Sequence, residues 1–370
     1  MVWRRKLAAA LCLVLALTAV ACGSGDDDGE DAAPSDDAPA EPGTGSGTGA
    51  TEGPDTPEPR PLDEETSVTI LPVVAAESFA PVYLAEHFGE FERENLDVTI
   101  SELPSNDTFV ALVRGDAQLT VGGLNAAFFN LVEGGTDVRW LANVHQQSEE
   151  SSEGLWVRRE VLGDDGEMDA DELEGMRIAL GTSGIVSTSA LAVDEWLEDN
   201  GSDLGEVEVQ SIGGNDVVVA LEQGSTDAGY VLSPAWQTIE ESGCCEMVTP
   251  RPPLAASTYT MTAAFMENER ETARAIMRAL VRTVRTYLQG DYHADPEVLE
   301  ALVETLEVPE EVVTATPSLV FDPDMGFDSA LVEDIQQVWL DAGDVLEFSD
   351  PIPADEVMDT SVVDEVLEGE

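Results

Sequence analysis

The sequence predicts an α/β fold made of two consecutive units followed by a largely helical C-terminal region. Three observations carry this expectation. From Thr66 onward, short apolar runs alternate with amphipathic helical segments, the pattern of a parallel-rich sheet covered on both faces. The alternation starts afresh after Leu155, Trp156 and Val157, and beyond residue 232 the chain reads as mostly helical.

In the first unit, strands are expected over residues 68–74, 98–101, 118–121 and 138–144, with helices over 81–92, 107–114 and 125–133 between them. In the second, strands are expected over 177–180, 206–211 and 228–232, with helices running to about 198 and over 216–223. Helices over 267–289, 296–306 and 328–342 follow. Two α/β lobes enclose a cleft, and ligands of open parallel sheets sit at the carboxyl ends of the strands.

One of those ends has the make-up of an anion cradle. A short apolar strand (Ile178, Ala179, Leu180) runs into Gly181 and Gly184, then Ser187, Thr188 and Ser189, then an amphipathic helix. The first N–H groups of a helix lack intrahelical partners and sit at the positive end of its dipole, and hydroxyls and glycine add donors and close approach. The alternative is that Ser187 only caps the helix and Gly181 only turns the chain.

The amino terminus precedes both units. Arg4, Arg5 and Lys6 form a basic region before an apolar run over residues 7–20, and small residues end it, which reads as an export signal over residues 1–21. Residues 22–65 hold almost no large apolar side chains and read as an acidic, Pro/Gly-rich disordered tether. The expected organisation is then a first lobe from 66–155, a second from 156–250, and a return to the first lobe with C-terminal helices over 251–370.

The formal net charge is −60, and residues 66–370 alone hold 62 acidic against 12 basic side chains. Such a surface excludes nucleic acid as a partner. It points to a saline habitat, where screening weakens self-repulsion. No GxSxG, HExxH or other nucleophile or metal arrangement is present in the sequence, so neither an enzyme, a cofactor nor a metal site is expected. Cys244 and Cys245 are adjacent, and outside the cytoplasm a vicinal disulfide competes with two free thiols or an intermolecular bridge.

Arg270, Arg274, Arg278, Arg282 and Arg285 form a stripe on one helix, expected to be a solvated face bridging to Glu267, Glu269 and Glu271. His145 follows a strand, while His87 and His293 receive no role. Phe79 and Tyr230 stand at strand ends where they serve packing or stack on a flat heterocycle.

Several landmarks resemble a known family. Leu17, Thr18, Ala19, Val20, Ala21 and Cys22 resemble the bacterial lipoprotein box. Phe79 to Ala85, then Gly89, Glu90 and Phe91, then Asn95, Leu96, Asp97 and Val98 are similar to the "G-x-F-x-x-x-G-L-x-V" opening of the solute-binding subunits of ABC importers, in the group that binds nitrate, sulfonates, taurine and thiamine pyrimidines. The segment over 112–123 is similar to its "L-x-x-G-x-x-D-x-x-x-G", and Ser187, Thr188 and Ser189 to its "S-T-S".

The resemblance implies a two-lobe periplasmic-binding-protein-like fold of type II, exported and held on the membrane by lipid on Cys22. It implies a monomer that passes a small solute to an ABC permease and its ATPase. By position, the implied ligand contacts are Ser78, Phe79, Asn106, Gly123, Asn125, His145, Gln146, Ser187, Thr188, Ser189 and Tyr230. Val231, Leu232, Ser233 and Pro234 depart from the family, where many members have an aromatic residue followed by Glu-Pro. The alternative reading is an enzyme like the eukaryotic thiamine-pyrimidine synthases, which share the fold and use a histidine with a cysteine-rich motif echoed only thinly by Cys244 and Cys245.

Overall fold

The computed structural model describes residues 56–370 apart from 149, 163–167, 169, 182–183, 234, 251–256, 344 and 370. All of them lie in one compact unit, Glu52–Glu370. The export signal, Cys22 and the tether as far as residue 55 lie outside the described residues.

Two five-stranded sheets organise the unit. The first contains β1 (Thr66–Pro72), β2 (Leu96–Ile100), β3 (Leu119–Gly123) and β4 (Val138–Asn143). The chain then crosses to the second sheet and lays down β5 (Gly154–Arg158), β6 (Arg177–Ala179), β7 (Glu208–Gln210), β8 (Ala228–Val231) and β9 (Cys245–Pro250). It returns with β10 (Ser257–Thr262), which enters the first sheet between β3 and β4. The spatial orders are β2-β1-β3-β10-β4 and β7-β6-β8-β5-β9. The two orders match, each sheet having one strand inserted antiparallel beside a parallel trio.

Each sheet is parallel-rich in strand direction, four of its five strands running one way, with β10 antiparallel to both β3 and β4 and β5 antiparallel to both β8 and β9. One expectation is corrected here. The region after residue 232 contains two strands, β9 and β10, where helix had been expected to dominate. A strand that returns from another lobe needs no crossover helix and so enters in either direction.

The helices arise from ordinary local signals. Pro81 sits in the first turn of Ala80–His87, where its missing N–H is no loss. Asn125 caps Ala126–Glu133 by accepting a bond from the Phe128 N–H. The first sheet buries one face against Ala80–His87, Arg270–Tyr287 and Pro296–Leu306. Its other face packs an aromatic group in which the rings of Phe128 and Trp140 stack 4.3 Å apart, with Trp339 of Ala330–Asp341 close by. That last helix reaches both lobes, since the Trp339 indole donates to the Ile185 carbonyl at 2.8 Å.

The arginine stripe is not a solvated face. Arg278 and Arg282 are 3% and 2% exposed, and their partners Glu94 and Glu90 are equally buried. Arg278 Nη2 lies 2.7 Å from Glu94, and Arg282 bridges Glu90 and Glu94. Arg270 pairs with Glu365 and Arg285 with Asp324. Of the acidic partners expected along the same helix, Glu271 contacts Arg274. The stripe faces inward because Arg270–Tyr287 packs against the turn that carries Glu90 and Glu94, and several guanidinium donors converging on the two carboxylates compensate the desolvation of both signs.

Cys244 and Cys245 are free thiols, so the vicinal disulfide is not formed. Cys245 occupies the first position of β9 and is buried beside Trp156 and Ile239. Burial and the neighbouring Cys244 push its thiol well above the ordinary range.

Candidate functional site

A cavity of about 470 Å³ lies where strand ends of both sheets meet. The first sheet contributes the turn after β1 (Ala75 to Phe79), the end of β3 at Gly123, the start of β10 at Ser257, and His145 and Gln147 beyond β4. The second sheet contributes Glu153 just before β5, and Leu232 and Ser233 just after β8. Leu306, Val308, Val312, Val313 and Leu319 close the remaining side with an apolar wall. A larger cavity of about 810 Å³ lies among residues 288–323 with Ser148 and Glu150, but takes no strand end from either sheet.

Glu77 is held by two donors from one short segment. Its Oε1 accepts from the Tyr292 hydroxyl at 2.5 Å and from His293 Nε2 at 2.7 Å. The Tyr292 oxygen in turn accepts from the Leu319 N–H at 2.9 Å. Burial and the Glu77 carboxylate push the Tyr292 phenol well above its ordinary range, which keeps it a donor. Glu153 is 2% exposed, and its Oε1 accepts from the Ser233 N–H at 2.7 Å, tying the entry of β5 to the turn after β8. His145 is buried with Nδ1 2.9 Å from the Ser257 hydroxyl.

The electrostatic character of the wall follows. Among the described residues that line the cavity, two are carboxylates and none is Arg or Lys. A second negative charge about 4 Å from a carboxylate costs on the order of 4 kcal/mol near a protein surface. An anion placed against Glu77 meets that cost, whereas a cation or a neutral donor does not.

The expected contacts fall into two groups. Ser78, Phe79, Gly123 and His145 line this cavity together. Gln146 does not, because its N–H and C=O both pair with Val320, and in the extended chain the side chains on either side of it, His145 and Gln147, take the cavity. Asn125 commits its amide to the turn, with Nδ2 on the Gly123 carbonyl and Oδ1 on the Phe128 N–H. Asn106 lies in the first turn of Ser105–Arg114, and its side chain lies outside the described residues.

The serine cradle is tied inward. Ser187 Oγ donates toward the Gly184 carbonyl at 2.8 Å, and Ser189 Oγ to the Leu180 carbonyl at 3.1 Å. The two hydroxyls also contact each other, and Thr188 makes no side-chain cap. Gly184 has φ +56°, and a Cβ there would lie 2.7 Å from Ser211 Oγ, so the loop is folded tightly on its own neighbours. Tyr230 is 5% exposed within the second-lobe core, opposite Leu155 in the sheet, and does not line the cavity. Residues that the sequence reading did not select, above all Glu77, Glu153 and Leu232, do line it. The available signal was the turn after β1, where Glu77 precedes Ser78 and Phe79, and the departure at Leu232 and Ser233.

Comparison with known proteins agrees with this architecture. The model of the family described as NMT1/THI5 like matches residues 76–290, more than half of the chain. No curated protein matches. Among solved structures, the periplasmic aliphatic sulphonate binding protein SsuA from Escherichia coli superposes with a TM-score of 0.58 at 14% identity, over 80% of this chain and 99% of that one. The alkanesulfonate-binding protein SsuA from Xanthomonas axonopodis pv. citri, bound to MOPS, gives 0.53 at 15% identity, over 80% and 99%. The periplasmic nitrate-binding protein NrtA from Synechocystis PCC 6803 gives 0.57 at 15% identity, over 84% and 90%. At these identities the likeness is one of fold.

Proposed function

Since the chain belongs to the NMT1/THI5-like family, we propose that it is the extracytoplasmic solute-binding component of an ABC importer. The observation that carries this reading is the cavity itself, which takes strand ends from both sheets. A solute held there is enclosed when the lobes approach and is released when they part. The named neighbours of the same fold, sulfonate- and nitrate-binding periplasmic proteins, support the class of function.

Lipid on Cys22 would hold the protein at the outer face of the membrane, with the acidic tether as spacer. The enzyme alternative draws no support from Cys244 and Cys245, neither of which lines the cavity. The test is mass spectrometry of small molecules released on denaturing the purified protein, followed by calorimetric titration and a product assay. A co-purified solute that binds reversibly and is recovered unchanged is expected. Chemical turnover of the solute would replace the binding reading with the enzyme. Replacing Cys22 with Ala should release the chain from the membrane fraction.

A further inference from the structure

We propose that the solute is a protonated amine carried on an apolar body, with the Glu77 carboxylate as its counter-ion. This rests on the reading that the cavity between the sheets is the solute site. Three features of that cavity converge on the same chemistry.

The first is how Glu77 is presented. Both of its hydrogen-bond donors, the Tyr292 hydroxyl and His293 Nε2, address Oε1. Oε2 has no hydrogen-bond partner among the described residues, although Glu77 lines the cavity. An ionised carboxylate only accepts, so a solute meeting Oε2 must bring the proton. Tyr292 and His293 fix the carboxylate in place before the solute arrives, which spares the cost of ordering it on binding.

The second feature is the rest of the wall. Phe79, Leu232, Val308, Val312, Val313 and Leu319 suit a hydrocarbon or ring rather than a hydrated ion. Glu153 adds a second carboxylate to the same wall, its Oε1 accepting from the Ser233 N–H. The serines that would have held an oxyanion are bonded to the Leu180 and Gly184 carbonyls.

The third is long-range. A net charge of −60 raises the local concentration of cations and lowers that of anions near the cleft.

The test is calorimetric titration of the full chain with matched probes that differ only in the head group: hexylamine, hexane-1-sulfonate and hexan-1-ol, with nitrate as a fourth. Hexylamine should bind at least about tenfold more tightly than the sulfonate or the alcohol, the scale of one charge-assisted hydrogen bond. Glu77→Gln should remove at least about fivefold of that preference, with thermal unfolding confirming that the variant is folded. Wild-type preference for the sulfonate or nitrate, or an alcohol bound as well as the amine, would overturn the amine class while leaving a solute-binding protein in place. Absence of binding by every probe, or an unchanged amine affinity in Glu77→Gln, would also overturn it. The wider reading fails separately, through chemical turnover of the solute recovered from the purified protein.

Discussion

Arg282 Nε lies 2.7 Å from Glu90 Oε2, although 192 residues of chain separate them and both are withdrawn from water. The same guanidinium donates to the Glu90 carbonyl at 2.9 Å and reaches Glu94. Removing one partner of such a buried set strands a charge, so Arg282→Met should cost about 3–5 kcal/mol in urea unfolding. That loss should be nearly the same at low and at molar salt. The wild-type midpoint itself should rise with salt, because the exposed acidic surface is screened and the buried pair is not. A midpoint that does not move with salt would remove the case for a saline habitat.

The inward bonding of Ser187 and Ser189 makes them stabilisers of the loop after β6. Replacing each with Ala should lower stability by about 1 kcal/mol, while the affinity for the co-purified solute changes less than about twofold. A large affinity loss without a stability loss would put these hydroxyls back in the cleft.

Two aspartates should respond to acid in opposite ways. The Arg177 guanidinium beside Asp227 holds its carboxyl below the ordinary range. Its contribution is therefore complete above the pH at which unfolded Asp titrates, and is lost as pH falls through the lowered folded value. Burial raises the Asp194 carboxyl, with nearby acidic groups adding to the rise. Its contribution is present below the unfolded value and is lost as pH rises through the raised one. Asp227→Asn should thus destabilise at neutral pH and progressively less on acidification, whereas Asp194→Asn should stabilise at neutral pH. Denaturant titrations at a series of pH values read both differences.

The two cysteines should separate in alkylation followed by mass spectrometry. Cys244 is half-buried and should react at least about tenfold faster than Cys245, whose thiol is both enclosed and hard to ionise. Equal rates would contradict the packing of Cys245 against Trp156 and Ile239.

The strands and helices that were legible in the sequence are those whose burial is written in apolar residues at a regular period. The buried strand β10 escaped because its sequence is STYTMT: Ser257, Thr258 and Thr260 are each 2% exposed in the middle of a sheet. Their hydroxyls look like surface until internal partners are known, such as Ser257 with His145. The arginine stripe misled for a related reason, since a helical period shows that residues share a face but not what the face meets. The site was legible at the resolution of turns and not of atoms. The sequence points to Ser78 and Phe79 in the turn after β1 but not to Glu77, and to Gln146 where its neighbour Gln147 takes the cavity. Alternation in an extended chain depends on register, which a polar tripeptide does not specify.

Strand β10 closes the gap between β3 and β4 only after every strand of the second sheet has been synthesised. The second sheet is built from one uninterrupted stretch, Gly154 to Pro250. The first waits with two unpaired strand edges, and Arg278 and Arg282, which neutralise Glu90 and Glu94, arrive later still. Chain order thus acts as a timer. Before residue 262 has emerged, the N-terminal lobe lacks the strand that joins β3 to β4, and the buried pairing of Arg282 with Glu90 waits longer still.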